Sequence, residues 1–209
     1  DLTRERGYPA GWFRLMAQSA LPKGAVATVR AMGRDLVIFR TAAGRLGAVD
    51  PICPHLGAHL GHGGCVIGES LRCPFHGLRF DVHGACVASD RQGPLPRLAL
   101  STWSIIDWQG QVMGYLDSRR QPATWQLPQL DEAGYGPLRQ TTLRLTGHIE
   151  DVAENGVDFA HFSTVHGYKN VRDCHVEQDG PRLHSRFTFD RAHPLWARLP
   201  DITGVFDTD

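Results

Sequence analysis

Cys53-Pro54-His55-Leu56-Gly57 and Cys73-Pro74-Phe75-His76-Gly77 are two copies of one short pattern, each offering a thiol and an imidazole and each closing on glycine. Seventeen residues separate His55 from Cys73. Two thiolates and two neutral imidazoles are the right count for two irons bridged by sulfide. The thiolates hold the ferric iron and the imidazoles hold the iron that takes the electron. Two neutral ligands in place of two thiolates lower the negative charge around such a group. Its potential rises to about −150 to +300 mV, from about −400 mV for plant-type ferredoxins. Structural zinc also accepts Cys and His in a tetrahedron. Zinc arms more often separate both ligands by two or more residues, whereas here one arm is Cys-x-His and the other Cys-x-x-His. On ligand count and spacing both metals stay open.

Working outward, residues 12–116 read as short strands and turns. Residues 26–32 and 36–40 are β-branched and apolar with Gly33 between them, and 45–49 follow an Ala42-Ala43-Gly44 turn. Residues 103–108 and 112–116 flank Gln109-Gly110, a tight hairpin signal. The pattern predicts a small antiparallel β domain over residues 1–118. Pro122, Pro128, Gly134, Gly136 and Pro137 then resist regular structure, which predicts a linker over 119–137. Residues 138–209 read as the start of a second domain. Its expected elements are a strand over 138–146, a helix from Ile149 to about Phe162 with Glu150 and Asp151 near its positive end, and a hairpin turning at Asp179-Gly180 between 171–178 and 182–189.

Residues 154–166 read Glu-Asn-Gly-Val-Asp-Phe-Ala-His-Phe-Ser-Thr-Val-His. On a continuous helix Glu154, Asp158 and His161 share a face, and Ile149, Val152, Ala153 and Ala160 cover much of the other. Gly156 costs about 1 kcal/mol there relative to Ala, which points to close approach by another group. His166 turns partly away unless the helix breaks near Ser163-Thr164. The plain reading is a helix with polar residues facing solvent. The chemical reading is a ferrous site of two imidazoles and a carboxylate, with positions left open for dioxygen.

The two Cys/His segments closely resemble the ligand loops of Rieske proteins, and residues 155–166 resemble the mononuclear-iron motif of Rieske non-haem iron oxygenases. The resemblance implies a [2Fe-2S] cluster on Cys53, His55, Cys73 and His76, and a mononuclear Fe(II) on His161 and His166. It implies that Asp158 is not a ligand but the carboxylate linking the iron site to a cluster histidine of a neighbouring subunit, in a head-to-tail homotrimer. The implied fold class is α+β, a small antiparallel β Rieske domain followed by a helix-grip (START-like) catalytic domain. About 70 residues follow the linker, so that catalytic domain is expected to be incomplete here. The third iron ligand, a carboxylate on a late helix in the family, is not identifiable: Asp190, Asp201, Asp207 and Asp209 fall in strand or tail context. Ala58 and Phe75 stand where respiratory-chain Rieske proteins have a disulfide, so the resemblance is to the lower-potential ferredoxin or oxygenase type.

Within the family the likeness is to the sterol and steroid branch, the cholesterol desaturases and ketosteroid hydroxylases. Gly11-Trp12-Phe13-Arg14-Leu15, residues 53–60, Trp125-Gln126-Leu127-Pro128 and residues 155–162 carry it. It implies hydroxylation or desaturation of an apolar, sterol- or steroid-like small molecule, with O2 and electrons from a ferredoxin or flavin reductase. Two alternatives stand beside it: an oxygenase acting on an aromatic substrate, and a Rieske ferredoxin-type electron carrier in which Asp158, His161 and His166 are accidents.

Composition narrows the field. Lys plus Arg and Asp plus Glu are both 22, a formal net charge of zero, which lacks the clustered positive charge that nucleic acid or an anionic membrane requires. There is no apolar run of bilayer-spanning length and no signal-peptide pattern at the start, so a cytoplasmic protein is expected. Five cysteines in 209 residues argue against a secreted disulfide framework. Cys65 and Cys86 are expected to be small buried hydrophobes, and His59, His62 and His83 to lie at the surface or to support the loops.

Overall fold

The computed structural model of the chain describes residues 8–129, 146–191 and 202–208. Nearly all of the strand expected over 138–146 lies outside these, as do Asp201 and Asp209. The chain divides into two compact units, one within Gly7–Gly136 and one within Pro137–Asp209. The fold is α+β, mostly antiparallel sheet with two short α-helices among the described residues.

The first unit contains β1 (Gly11–Ala17), β2 (Val26–Ala31), β3 (Arg34–Arg40), β4 (Leu46–Val49), β5 (Cys65–Ile67), β6 (Ser70–Arg72), β7 (Arg79–Phe80), β8 (Cys86–Ala88), β9 (Ser104–Trp108) and β10 (Gln111–Leu116). They form three antiparallel sheets ordered β1-β10-β9, β2-β3-β4 and β5-β6-β7-β8. The continuous apolar run of β3 has a structural reason. Successive side chains on a strand point to opposite faces. Val37 and Phe39 enter one core with Cys53, Leu60, Leu71, Cys73 and Phe80. Leu36 and Ile38 enter another with Trp103, Val112 and Leu116. Both faces of β3 are therefore dry, and a strand buried on both faces has no polar alternation.

β3 ends in a buried charge. Arg40 donates from Nη1 and Nη2 to the two carboxylate oxygens of Asp107, at 2.7 Å each, and from Nε to the Leu21 carbonyl at 2.7 Å. This ties β3 to β9 across the second core. Beyond β10 the chain stays pinned to its own unit. The indole N–H of Trp12 donates to the Trp125 carbonyl at 2.9 Å, and that of Trp108 to the Pro128 carbonyl at 2.8 Å.

The second unit contains α1 (Ile149–Asn155), α2 (Phe159–Thr164), β11 (Lys169–Asp179), β12 (Arg182–Arg191) and β13 (Ile202–Thr208), the strands forming one antiparallel sheet in that order. The expected single helix is two. α1 starts in a capping box: His148 Nδ1 accepts from the Glu150 N–H, and the Asp151 carboxylate accepts from the His148 N–H. It stops at Gly156, whose carbonyl accepts from the buried Ser185 hydroxyl on β12 at 2.8 Å. A Cβ added at Gly156 would meet only the Ala153 carbonyl oxygen, at 3.3 Å, so the close approach by another group expected there is not found among the described residues. Val152, Ala153 and Ala160 are exposed and cover nothing. The β11–β12 turn falls at Gly180-Pro181, between the paired Asp179 and Arg182, one residue later than expected.

Candidate metal centres

The two Cys/His loops are built alike. Cys53 leads a loop between β4 and β5, and Cys73 follows directly on β6. In each, the cysteine N–H donates to the carbonyl five residues on (Ala58 and Leu78, both 2.8 Å). The glycine four residues on donates back to the cysteine carbonyl, Gly57 at 3.0 Å and Gly77 at 3.2 Å. Closing so tight a loop needs left-handed backbone at that glycine, and both supply it, with φ +77° and +67°. Both thiols end in the first core, 2% and 1% exposed. Burial pushes the Cys53 thiol above its ordinary range; the backbone N–H groups of His55 and Leu56 pull it back, and the adjacent Cys73 thiol raises it further. The half-buried rings of His55 and His76 lie 4.7 Å apart, edge to face. Leu56 and Phe75 stand exposed beside them, 66% and 67% accessible.

The second candidate site is a corner. α2 begins at Asp158, whose carboxylate oxygen Oδ1 accepts from the Ala160 N–H at 3.1 Å as an N-cap. Its main-chain carbonyl lies 2.6 Å from His161 Nδ1. A carbonyl only accepts, so Nδ1 is the donor, and in the neutral ring Nε2 is the nitrogen with the lone pair. The helix ends at Thr164, and the turn brings the His166 ring to 5.1 Å from that of His161. Phe162 backs both rings, at 4.1 Å from His161 and 5.8 Å from His166. Phe162 itself packs at 4.5 Å on Phe187 of β12. The link from Asp158 to His161 therefore runs through the backbone, and the Asp158 carboxylate is exposed.

Residues 11–99 match the Rieske [2Fe-2S] domain, and residues 115–196 match the 3-ketosteroid 9alpha-hydroxylase C-terminal domain. The chain is 32% identical over 202 residues to cholesterol 7-desaturase nvd of Bombyx mori, covering 95% of this chain and 44% of the relative. The chain belongs to the Rieske oxygenase family. It is also 30% identical over 181 residues to the oxygenase component of 3-ketosteroid-9-alpha-monooxygenase of Rhodococcus rhodochrous, covering 81% of this chain and 46% of that one. This Rieske oxygenase chain thus spans less than half the length of either relative. Among solved structures, NdmA of Pseudomonas putida CBB5 shares the fold, with a TM-score of 0.67 at 20% identity over 92% of this chain and 66% of its own.

The family implies a [2Fe-2S] cluster and a mononuclear iron; the residues present fit the cluster and supply two imidazoles toward the iron. His55 Nδ1 is a buried nitrogen with no hydrogen-bond partner, an arrangement that costs about 1–3 kcal/mol unless something binds it. Two buried thiols and two adjacent imidazoles supply two pairs of donors, which suits a two-iron group. Among the described residues no three His, Cys, Asp or Glu side chains surround one point closely enough for a single ion. Among the described residues the corner brings together two imidazoles and no third ligand, which stays unassigned. Asp190 is engaged elsewhere, with Asn170 and Arg172 on β11.

Several expectations need correction. Cys65 is exposed, and Cys86 is only half buried. Asp158 caps a helix and does not share a continuous helical face with Glu154 and His161. Phe162 and Phe187, the shelf behind the histidines, and Ser185, which holds Gly156, escaped sequence reasoning. Phe162 lay inside the motif, but nothing local marks Ser185. No helix among the described residues is long and apolar enough to cross a membrane.

Proposed function

We propose that the protein works as the oxygenase component of a Rieske system that uses O2 and single electrons to hydroxylate or desaturate an apolar, sterol- or steroid-type small molecule. The observation that carries this reading is the corner itself: the His161 and His166 rings 5.1 Å apart, with His161 Nδ1 committed to the Asp158 carbonyl, which leaves Nε2 as the nitrogen that would bind a metal. An electron carrier has no use for such a corner on the chain that holds its Rieske domain.

In this reading Cys53, His55, Cys73 and His76 hold the cluster, and His161 and His166 hold the ferrous ion. When bound, the cluster supplies electrons one at a time and the ferrous ion supplies open coordination positions for dioxygen chemistry. The chain's own contribution is placement. The two closed loops keep the thiols dry and leave the His55 and His76 edges at the surface, where an electron donor can reach them. The Asp158 carbonyl sets the His161 tautomer and ring orientation. The exposed Asp158 carboxylate, with Oδ1 on Ala160 N–H, is placed to accept an imidazole N–H from a cluster ligand of a second copy and so bridge the two centres. That bridge calls for a head-to-tail homotrimer. The electron donor is a ferredoxin or flavin reductase, and "oxygenase component" in the name of the Rhodococcus relative supports a separate donor. The sterol-type substrate follows from the names of both relatives. The working boundaries are 1–118 for the Rieske domain, 119–137 for the linker and 138–209 for the catalytic part, with a cytoplasmic location.

The test is oxygen uptake by the whole protein with an artificial reductase and a panel of sterols, ketosteroids and aromatic compounds. Sterol- or steroid-dependent uptake that is lost in His161→Ala while the Rieske spectrum persists is the expected result. A Rieske spectrum with no substrate-dependent uptake, unchanged by His161→Ala, would leave only the electron carrier.

A further inference from the structure

The two ligand loops close alike, but their stems differ: Asp50, ahead of the first, pairs with the single Arg120 at 2.7 Å, whereas the second carries two arginines on one carboxylate. Arg72 and Arg79 are register partners on β6 and β7, the residues that enter and leave the loop. Both donate to one carboxylate: Arg72 Nε to Asp90 Oδ2 and Arg79 Nη2 to Asp90 Oδ1, each at 2.6 Å. Asp90 also holds the loop directly, since its N–H donates to the Gly77 carbonyl at 3.2 Å. Its side chain lies flat over Gly77, where an added Cβ would fall 2.5 Å from Oδ2 and 2.6 Å from Asp90 Cβ and Cγ. Arg79 Nε is buried without a partner, so the bond to Asp90 is what holds that guanidinium.

We propose that Asp90, with Arg72 and Arg79, is a positioning staple for the second ligand loop, fixing the His76 side of the site and setting the charge against which the cluster is reduced. The proposal rests on the reading of Cys53, His55, Cys73 and His76 as cluster ligands. The staple carries two positive charges and one negative. Reduction adds an electron, which nearby positive charge favours, and net charge is among the levers that set the potential of such clusters. Removing the carboxylate leaves two uncompensated arginines beside the loop and raises the potential. Removing either guanidinium lowers it. A staple that merely kept the loop shut would, on loosening, admit water in every variant and move them all the same way.

The experiment is redox titration of the Rieske EPR signal in the whole protein, for wild type, Asp90→Asn, Asp90→Glu, Arg72→Gln and Arg79→Gln. The expected result is an upward shift for Asp90→Asn, downward shifts for both arginine variants, and a near-wild-type value for Asp90→Glu. Shifts of one sign throughout, or none, with the signal intact, would overturn the proposal. If Asp90→Asn loses its cluster, the sign of the Arg72→Gln shift decides. A wild-type protein without a Rieske signal would instead reject the ligand assignment itself.

Discussion

Gly57 and Gly77 allow one loop to serve as the control for the other. They occupy the same place in two loops with the same hydrogen bonds, and both have positive φ. An alanine in left-handed backbone costs about 1–2 kcal/mol. At Gly57 an added Cβ meets nothing within 4 Å, so Gly57→Ala costs only that. At Gly77 the Cβ would fall 2.6 Å from Asp90 Cβ and Cγ. Those atoms lie too near the backbone to swing aside, and the carboxylate beyond them is held by two arginines. Forcing such atoms apart adds about 1–3 kcal/mol, for a total of about 2–5 kcal/mol. The assay is urea unfolding of the four chains of a double-mutant cycle, Gly77→Ala against Asp90→Gly, with Gly57→Ala alongside, followed by tryptophan fluorescence. Glycine at 90 removes the three atoms nearest the new Cβ, so on that background Gly77→Ala should fall toward the Gly57→Ala cost. Equal costs for the two single glycine variants, or a Gly77→Ala cost unchanged by Asp90→Gly, would refute the reasoning.

Asp107→Ala leaves the Arg40 guanidinium buried with its bidentate partner gone. Because Asp107 is 33% exposed, the expected loss is roughly 2–3 kcal/mol in thermal or urea unfolding, below the ~3–5 kcal/mol of a fully buried pair. Ser185→Ala removes the bond to the Gly156 carbonyl and should cost about 1–2 kcal/mol, together with weaker retention of ferrous ion at the His161/His166 corner, read by iron analysis of the whole protein. The Asp90 carboxyl is held below its ordinary range by Arg79 and Arg72. Its contribution to stability is therefore complete above about pH 4 and is lost as pH falls through its lower folded-state value. Asp90→Asn should flatten the acid limb of stability against pH, measured as urea midpoints across the acid range.

Hairpins and loops were readable where a short stretch carries its own physics. β2 and β3 around Gly33, and β9 and β10 around Gln109-Gly110, follow from short β-branched and apolar runs and the turn formers between them. The helix over 149–162 is broken by one tertiary contact and one local cap. Ser185, 29 residues beyond Gly156, takes the Gly156 carbonyl, and Asp158 caps a new start. The apolar pattern of this segment also misled, since Val152 is 52% exposed. Cys65 likewise lies on an exposed strand, where its chemistry alone suggested burial.

By itself the chain order determined the donors: which residues carry sulfur and imidazole, how far apart they stand within each loop, and where glycine permits the backbone to close. These are properties of a few adjacent residues, set by covalent spacing and backbone sterics. Only the tertiary structure decided that two separate loops share one dry core, that Asp90 bridges the stem of one of them, and that His161 and His166 meet at a broken helix. Those outcomes depend on strand pairings and side-chain contacts between residues distant along the chain. The free energy of such contacts belongs to the packed whole and to no segment of it.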